Sequence, residues 1–242
     1  MTRHSFRLLA IAVFTAAAVA TVTAGAASSA REAARKTNIK PADFGRKIDN
    51  PWYPLRPGTT YVYRGGTADK PTRDVIAVTR QKKKIMGVRC VVVHDNFYVA
   101  GRQTERTSDW FTQDKRGRVW YFGEDSAQLD GEGNVTSTAG SWQAGVDGAL
   151  PGIIMPARPR VNQTFRQEYY KGHAEDHFTV LSLSVRVDVP YVSSKRALLT
   201  REFSPLEPGV IEHKYYVRGI GLVEEATADK QPEQVLVSVT RT

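Results

Sequence analysis

One cysteine, Cys90, stands in 242 residues, so no intramolecular disulfide can form. It sits in the β-branched run Val88-Arg89-Cys90-Val91-Val92-Val93, which reads as a buried strand. Nothing local would lower its pKa, and it counts as a small apolar core residue rather than a nucleophile. Helical spacing is also scarce: the first half of the chain holds no sustained apolar repeat at 3.6 residues. The common catalytic signatures are missing too, with no G-x-S-x-G elbow, no H-E-x-x-H, no phosphate-binding loop and no G-x-G-x-x-G after a strand. Ser141, in Gly140-Ser141-Trp142, lacks the strand–turn–helix setting of a nucleophile. The net charge of +9 is scattered, and its tight clusters are Lys82-Lys83-Lys84 and Arg158 with Arg160. With no basic stripe interleaved with aromatics, the sequence argues against a nucleic-acid partner.

The first 26 residues carry no acid. Arg3, His4 and Arg7 precede an apolar run from Leu8 to Val22, and Ala24-Gly25-Ala26 supplies a small-residue cleavage pattern. The run is short for a membrane span of ~20 residues. It reads as a secretory signal peptide over 1–26, which implies a secreted or extracytoplasmic protein, and it holds no cysteine for lipid attachment. Residues 27–43 read as a flexible linker and 44–242 as one β domain. Without the signal the balance is 34 − 2 = 32 basic against 25 acidic residues, or +7. Outside a cell, diffuse positive charge suits an anionic envelope surface.

What the chain does have is aromatic and β-branched strands. Asp109 to Asp125 places Trp110-Phe111 and Trp120-Tyr121-Phe122 on either side of a polar turn, Gln113-Asp114-Lys115-Arg116-Gly117. That is a β-hairpin pattern. Further strands are expected at Thr59–Arg64, Asp74–Gln81, Val88–His94, Gln163–Tyr170, Glu175–Val189, Ala197–Phe203, Ile211–Val217 and Val235–Thr240, with Lys82–Gly87 a charged connection. Lys214-Tyr215-Tyr216 to Glu224 matches the first hairpin at a shift of 104, Tyr215 on Phe111 and Val223 on Val119. Arg56 and Arg158 agree within two residues. The expected fold is all-β, a mostly antiparallel barrel, sandwich or strongly curved sheet of about 10–12 strands. Two pseudo-repeated units, about 51–138 and 156–242, are joined by an irregular 139–155 loop rich in Gly and Pro.

Three sets of residues are candidates for a site. The first is carboxylates near aromatics: Glu124, Asp125, Asp147, Glu168, Glu175 and Asp176 could converge if the two units pair, to bind calcium or work as acid and base on a sugar. The second is the run His173-Ala174-Glu175-Asp176-His177, in which Glu175, Asp176 and His177 are the candidate metal ligands. The third is aromatic: Trp110, Trp120, Tyr121, Trp142 and Tyr170 could line a groove for a lipid tail or glycan. No cofactor is required; a divalent metal is the one these donors would hold.

The motif Asp109-Trp110-Phe111-x-Gln113-Asp114 with Gly117-x-Val119-Trp120-Tyr121-Phe122-Gly123-Glu124, together with the Gly140–Pro156 loop, resembles a family of uncharacterised exported bacterial β proteins. The second hairpin, Tyr215-Tyr216 with Gly219-x-Gly221-x-Val223, is similar to one found in bacterial envelope β proteins and lipoproteins. Neither resemblance implies a catalytic residue. The sequence thus favours an exported binding or structural module for a lipid, glycan or other envelope ligand. The alternative is a hydrolase or lyase using clustered carboxylates and His177.

Overall fold

A computed structural model describes residues 39–45 and 47–242 of the chain. The expected signal peptide, and the linker up to residue 38, lie outside the described residues. One 3-10 turn, Pro41–Asp43, precedes fifteen strands. They are β1 (Thr59–Gly66), β2 (Pro71–Ile85), β3 (Val88–Val99), β4 (Arg102–Gln113), β5 (Val119–Leu129), β6 (Val135–Ser137), β7 (Trp142–Gln143) and β8 (Leu150–Met155). Then come β9 (Thr164–Arg166), β10 (Glu168–Tyr169), β11 (His177–Val189), β12 (Val192–Phe203), β13 (Ile211–Val217), β14 (Gly221–Thr227) and β15 (Pro232–Arg241).

All of them join one antiparallel, strongly curved sheet that does not close as a ladder. Its order is β10-β8-β5-β4-β3-β2-β1-β15-β14-β13-β12-β11-β9, with β6 and β7 also pairing with β5. The two ends of the sheet, β9 and β10, are separated by Gln167 alone. Curvature therefore brings opposite edges to one short segment: Arg166 pairs with His177 of β11, and Glu168 with Pro151 of β8. Gly152 of β8 permits the approach, since a Cβ there would overlap the carbonyls of Arg166 and Gln167. Among the described residues no helix is long and apolar enough to cross a membrane.

The sheet encloses an interior with two chemistries. One part is apolar and aromatic, with Tyr61, Val78, Phe111, Tyr121, Phe178, Leu198, Tyr216 and Leu236 packed in one cluster. The other is acidic. Nine carboxylates are buried, Asp74, Asp109, Asp114, Glu124, Glu168, Glu202, Glu212, Glu224 and Glu225, all but Asp114 and Glu224 on the inner face, while no described lysine or arginine is buried to that degree. Acids are concentrated in the interior, the reverse of a solvated carboxylate surface, and Lys214 is the base that lies among them.

Several details depart from the sequence reading. Lys82–Lys84 is not a connection: β2 runs on to Ile85, the turn is Met86-Gly87, and Lys83 Nζ lies 3.2 Å from the Trp110 ring centre. Packing reaches upstream of residue 44, where Ile39 is buried and the Lys115 N–H donates to the Asp43 carbonyl at 2.7 Å. β3 and β12 are each twelve residues long and start 192 − 88 = 104 apart. The hairpin alignment nevertheless slips by one. Phe111 faces the interior as the register partner of Tyr121, whereas Tyr215 pairs with Glu224 on the opposite face and Tyr216 takes the interior position.

Candidate functional site

The site is the acidic part of the interior, and β-bulges aim its side chains. Side chains alternate along a strand, so a bulge of one extra residue exchanges the two faces. On β5 Tyr121 pairs with Phe111 and Glu124 with Asp109, so three steps on β5 match two on β4. Gly123 absorbs the difference at φ +127°, where a Cβ would overlap the Trp142 carbonyl. Tyr121 and Glu124 consequently both face inward, although three residues separate them. β14 repeats the device: Leu222 pairs with Tyr216 and Glu225 with Lys214, again three steps against two.

A cavity of about 100 Å³ lies between these hairpins. Its wall carries six carboxylates, Asp74, Asp95, Glu105, Asp109, Glu124 and Glu225, and one cation, Lys214. Tyr53, from the segment before β1, and Tyr63 of β1 also line it. Lys214 Nζ sits 3.3 Å from Glu225 Oε1. Burial alone would lower the Lys214 pKa, but Glu225 and Glu202 outweigh it and hold the ammonium well above its ordinary value. Lys214 is thus a fixed charge, not an amine nucleophile.

The Asp109–Glu124 pair sits in a different field. Asp109 accepts a 2.6 Å hydrogen bond from the Tyr121 hydroxyl, yet burial and then Asp95 push its pKa up to about 8. Glu124 is raised well above the carboxylate range by burial, then by Glu168, Asp109, Glu105 and Asp176. Glu168 extends the network. Its Oε2 accepts from Trp142 Nε1 at 2.8 Å, and it shares a hydrogen bond with Asp176, which Ser204 also bonds. Burial and then Asp176 hold Glu168 well above its ordinary value. Glu202 is raised to about 7 and Glu212 to about 9, both by burial first. One further group points to a ligand: Gln234 Nε2 donates to Glu225 at 3.0 Å, but no donor among the described residues reaches its buried Oε1 on the cavity wall.

The candidates read from sequence are therefore divided. Tyr121, Glu124, Trp142, Glu168 and Asp176 join one network. Asp125 does not; it is exposed on the other face, where it acts on Lys83. Asp147 is exposed on a turn at φ 48°. Trp110 and Trp120 also face outward, Trp110 under Lys83 and Trp120 packed edge-on to Phe44 at 6.0 Å, its Nε1 donating to Asp114. Tyr170 stacks on His173 at 4.3 Å in the turn that separates β10 from β11. Glu175 accepts from the Gly172 N–H, and His177 stacks on Phe203 at 5.4 Å with Nδ1 near the Glu175 carbonyl. The three proposed metal ligands therefore diverge. Among the described residues no three His, Cys, Asp or Glu side chains are grouped to hold a metal ion. The sequence reading missed Asp109, Lys214 and Glu225. Their signal was the inward position opposite a bulge, which spacing alone does not reveal.

No protein-family model matches the chain, and no curated protein matches it. Among solved structures, the chain is similar to a "putative lipoprotein" from Parabacteroides distasonis ATCC 8503, at 9% identity and a TM-score of 0.39. The likeness covers 79% of this chain and 99% of that one. A likeness of that degree carries no argument about fold or activity.

Proposed function

We propose that the protein is an exported β protein that binds a small organic cation, a primary ammonium, in its acidic interior. The observation that carries this is the Asp109–Glu124 pair: two neighbouring carboxyls raised by burial and by other acids, on a wall of six acids and one lysine. An ammonium there would let both carboxyls ionise and would give Gln234 Oε1 a donor. The volume agrees, since about 100 Å³ holds a few waters or a small cation. A lipid tail or glycan, the ligands favoured by sequence, needs roughly 300 Å³ or more. Export rests on the positive, apolar and small-residue pattern of residues 1–26. We read the two halves as duplicates on the strand offsets and the matching bulges.

Calorimetric titration with putrescine at about pH 8 tests the reading. The native protein should bind it, glycerol should give no heat, and the Asp109→Asn/Glu124→Gln double variant should lose about tenfold or more in affinity. Equal binding by that variant would sink the proposal. A hydrolase or lyase has one feature in its favour, the adjoining Glu168 and Asp176 carboxyls, both raised by burial first. Turnover of a glycoside that is lost in Glu168→Gln and kept in the double variant would favour it instead.

A further inference from the structure

The outer face of the β4–β5 hairpin holds a second pocket, of about 290 Å³. It lies where the segment Ile39–Phe44 crosses the hairpin turn, away from the acidic interior. Its character is the opposite: Lys40, Lys115, Arg116 and Arg118 line it, with Asp43 and Asp114 the acids. Asp114 is already engaged. It pairs with Arg118 Nε at 2.6 Å and accepts from the backbone N–H groups of Arg116 and Arg118 and from Trp120 Nε1. Three exposed cations, Lys40, Lys115 and Arg116, then face one exposed acid, Asp43.

The pocket is built rather than incidental. The 39–44 segment is tied to the turn from both sides, Lys115 N–H to the Asp43 carbonyl at 2.7 Å and Gly45 N–H to the Gln113 carbonyl at 2.8 Å, with a β-bridge between Phe44 and Asp114. Gly117 at φ +87° makes the tight turn. The Phe44 and Trp120 rings give the pocket an apolar wall beside its charges. Lysine point charges, an arginine fork and an apolar wall match a phosphate ester with a short carbon stem.

We infer that this pocket is an anion site for a glycerophosphate group. The group has two sources, a free glycerol phosphate unit or the headgroup of an anionic phospholipid, and both present the same oxygens and the same stem. The site is independent of the interior: the cations it uses are on the face that Trp120 occupies, and none lines the acidic cavity.

The test titrates the protein, as described and carrying Lys115→Glu/Arg116→Glu, with glycerol phosphate and with phosphatidylcholine vesicles containing or lacking phosphatidylglycerol. Both residues are exposed, so the double variant should keep the native melting temperature. Binding of free glycerol phosphate, reduced about tenfold or more in the variant, supports a soluble or polymer-borne source. Binding only of the phosphatidylglycerol vesicles, lost in the variant, supports the lipid source. Binding of neither, or binding unchanged by the charge reversals, overturns the inference. Putrescine binding should be the same in both proteins, so loss of the interior site would be read separately.

Discussion

Asp109 and Glu124 are register partners across β4 and β5, at the position that Lys214 and Glu225 occupy across β13 and β14. Both pairs sit at a bulge and line the same cavity, but one is neutralised within the protein and the other is not. The difference has consequences that can be measured.

Stability should fall as pH rises from about 5 to 8. Unfolded carboxyls ionise near 4, whereas Asp109 is held to about 8, Glu202 to about 7 and Glu212 to about 9. In that window the folded protein binds more protons than the unfolded chain, so each retained proton costs ~1.4 kcal/mol per pH unit as pH increases. The raised Lys214 contributes stability that is lost only above its unfolded value, outside this window. Denaturant midpoints at about pH 5 and pH 8 report the slope, and a higher midpoint at pH 8 would contradict it.

Glu124→Gln should stabilise the protein at pH 8 and weaken cation binding. The amide keeps the shape and removes a buried group that resists ionising. A gain of about 1 kcal/mol would raise the melting temperature by roughly 2–4 °C. Thermal melts together with putrescine titration give both readouts on one sample.

Lys214→Met should be the most damaging single change in the interior. It strips the cation from Glu225 and Glu202 and should cost about 3–5 kcal/mol near neutral pH, less in acid. Adding Glu225→Leu should recover much of the loss, because a hydrophobic pair can replace an ion pair of similar volume. A double variant as unstable as the single would show that Lys214 acts on some other partner.

Gly123→Ala should destabilise by about 1–3 kcal/mol through its φ of +127° and the overlap with the Trp142 carbonyl. It should also shift tryptophan emission as the Trp142–Glu168 bond loosens. Gly133→Ala is the control: its φ is +86° but nothing lies within 4 Å of the added carbon. Equal effects at both positions would mean that the bulge tolerates a side chain.

The fold class and most strands were legible because strand signals here are local: Ile211–Val217 was read with the limits it has, and the Asp109–Asp125 hairpin formed as its aromatics and turn suggested. The strand count was low because β7 and the six-residue β8 lie in the Gly- and Pro-rich 139–155 segment expected as an irregular loop, and because Gln167 divides the expected strand Gln163–Tyr170 into β9 and β10. The site was half legible. Glu124 and Glu168 were named, but Asp125 was grouped with them because nothing in the run Phe122-Gly123-Glu124-Asp125 says which residue a bulge turns inward. Lys214 was passed over for a related reason. His213 and Tyr215 on its flanks are buried while Lys214 is half-buried, so both faces of β13 are covered and alternation gives no direction. The slip of one residue between Phe111 and Tyr215 has the same origin, a bulge that moves faces without changing composition.

The strand order carries a consequence for how the chain becomes a protein. β1 is followed directly by β2, yet its other neighbour is β15, so the rung in the middle of the sheet joins the first strand to the last. A chain made or threaded from its N-terminus can assemble β1 to β5 as a meander, but β1 keeps an open flank until Pro232–Arg241 has emerged. For that interval the half-sheet exposes backbone donors and acceptors along Thr59–Gly65, the kind of edge that recruits other strands. Completion then waits on a contact spanning nearly the whole described chain, the slow type of closure. Escort by a holding partner before the last strand arrives, rather than any weakness of the finished fold, is what such a molecule would need most.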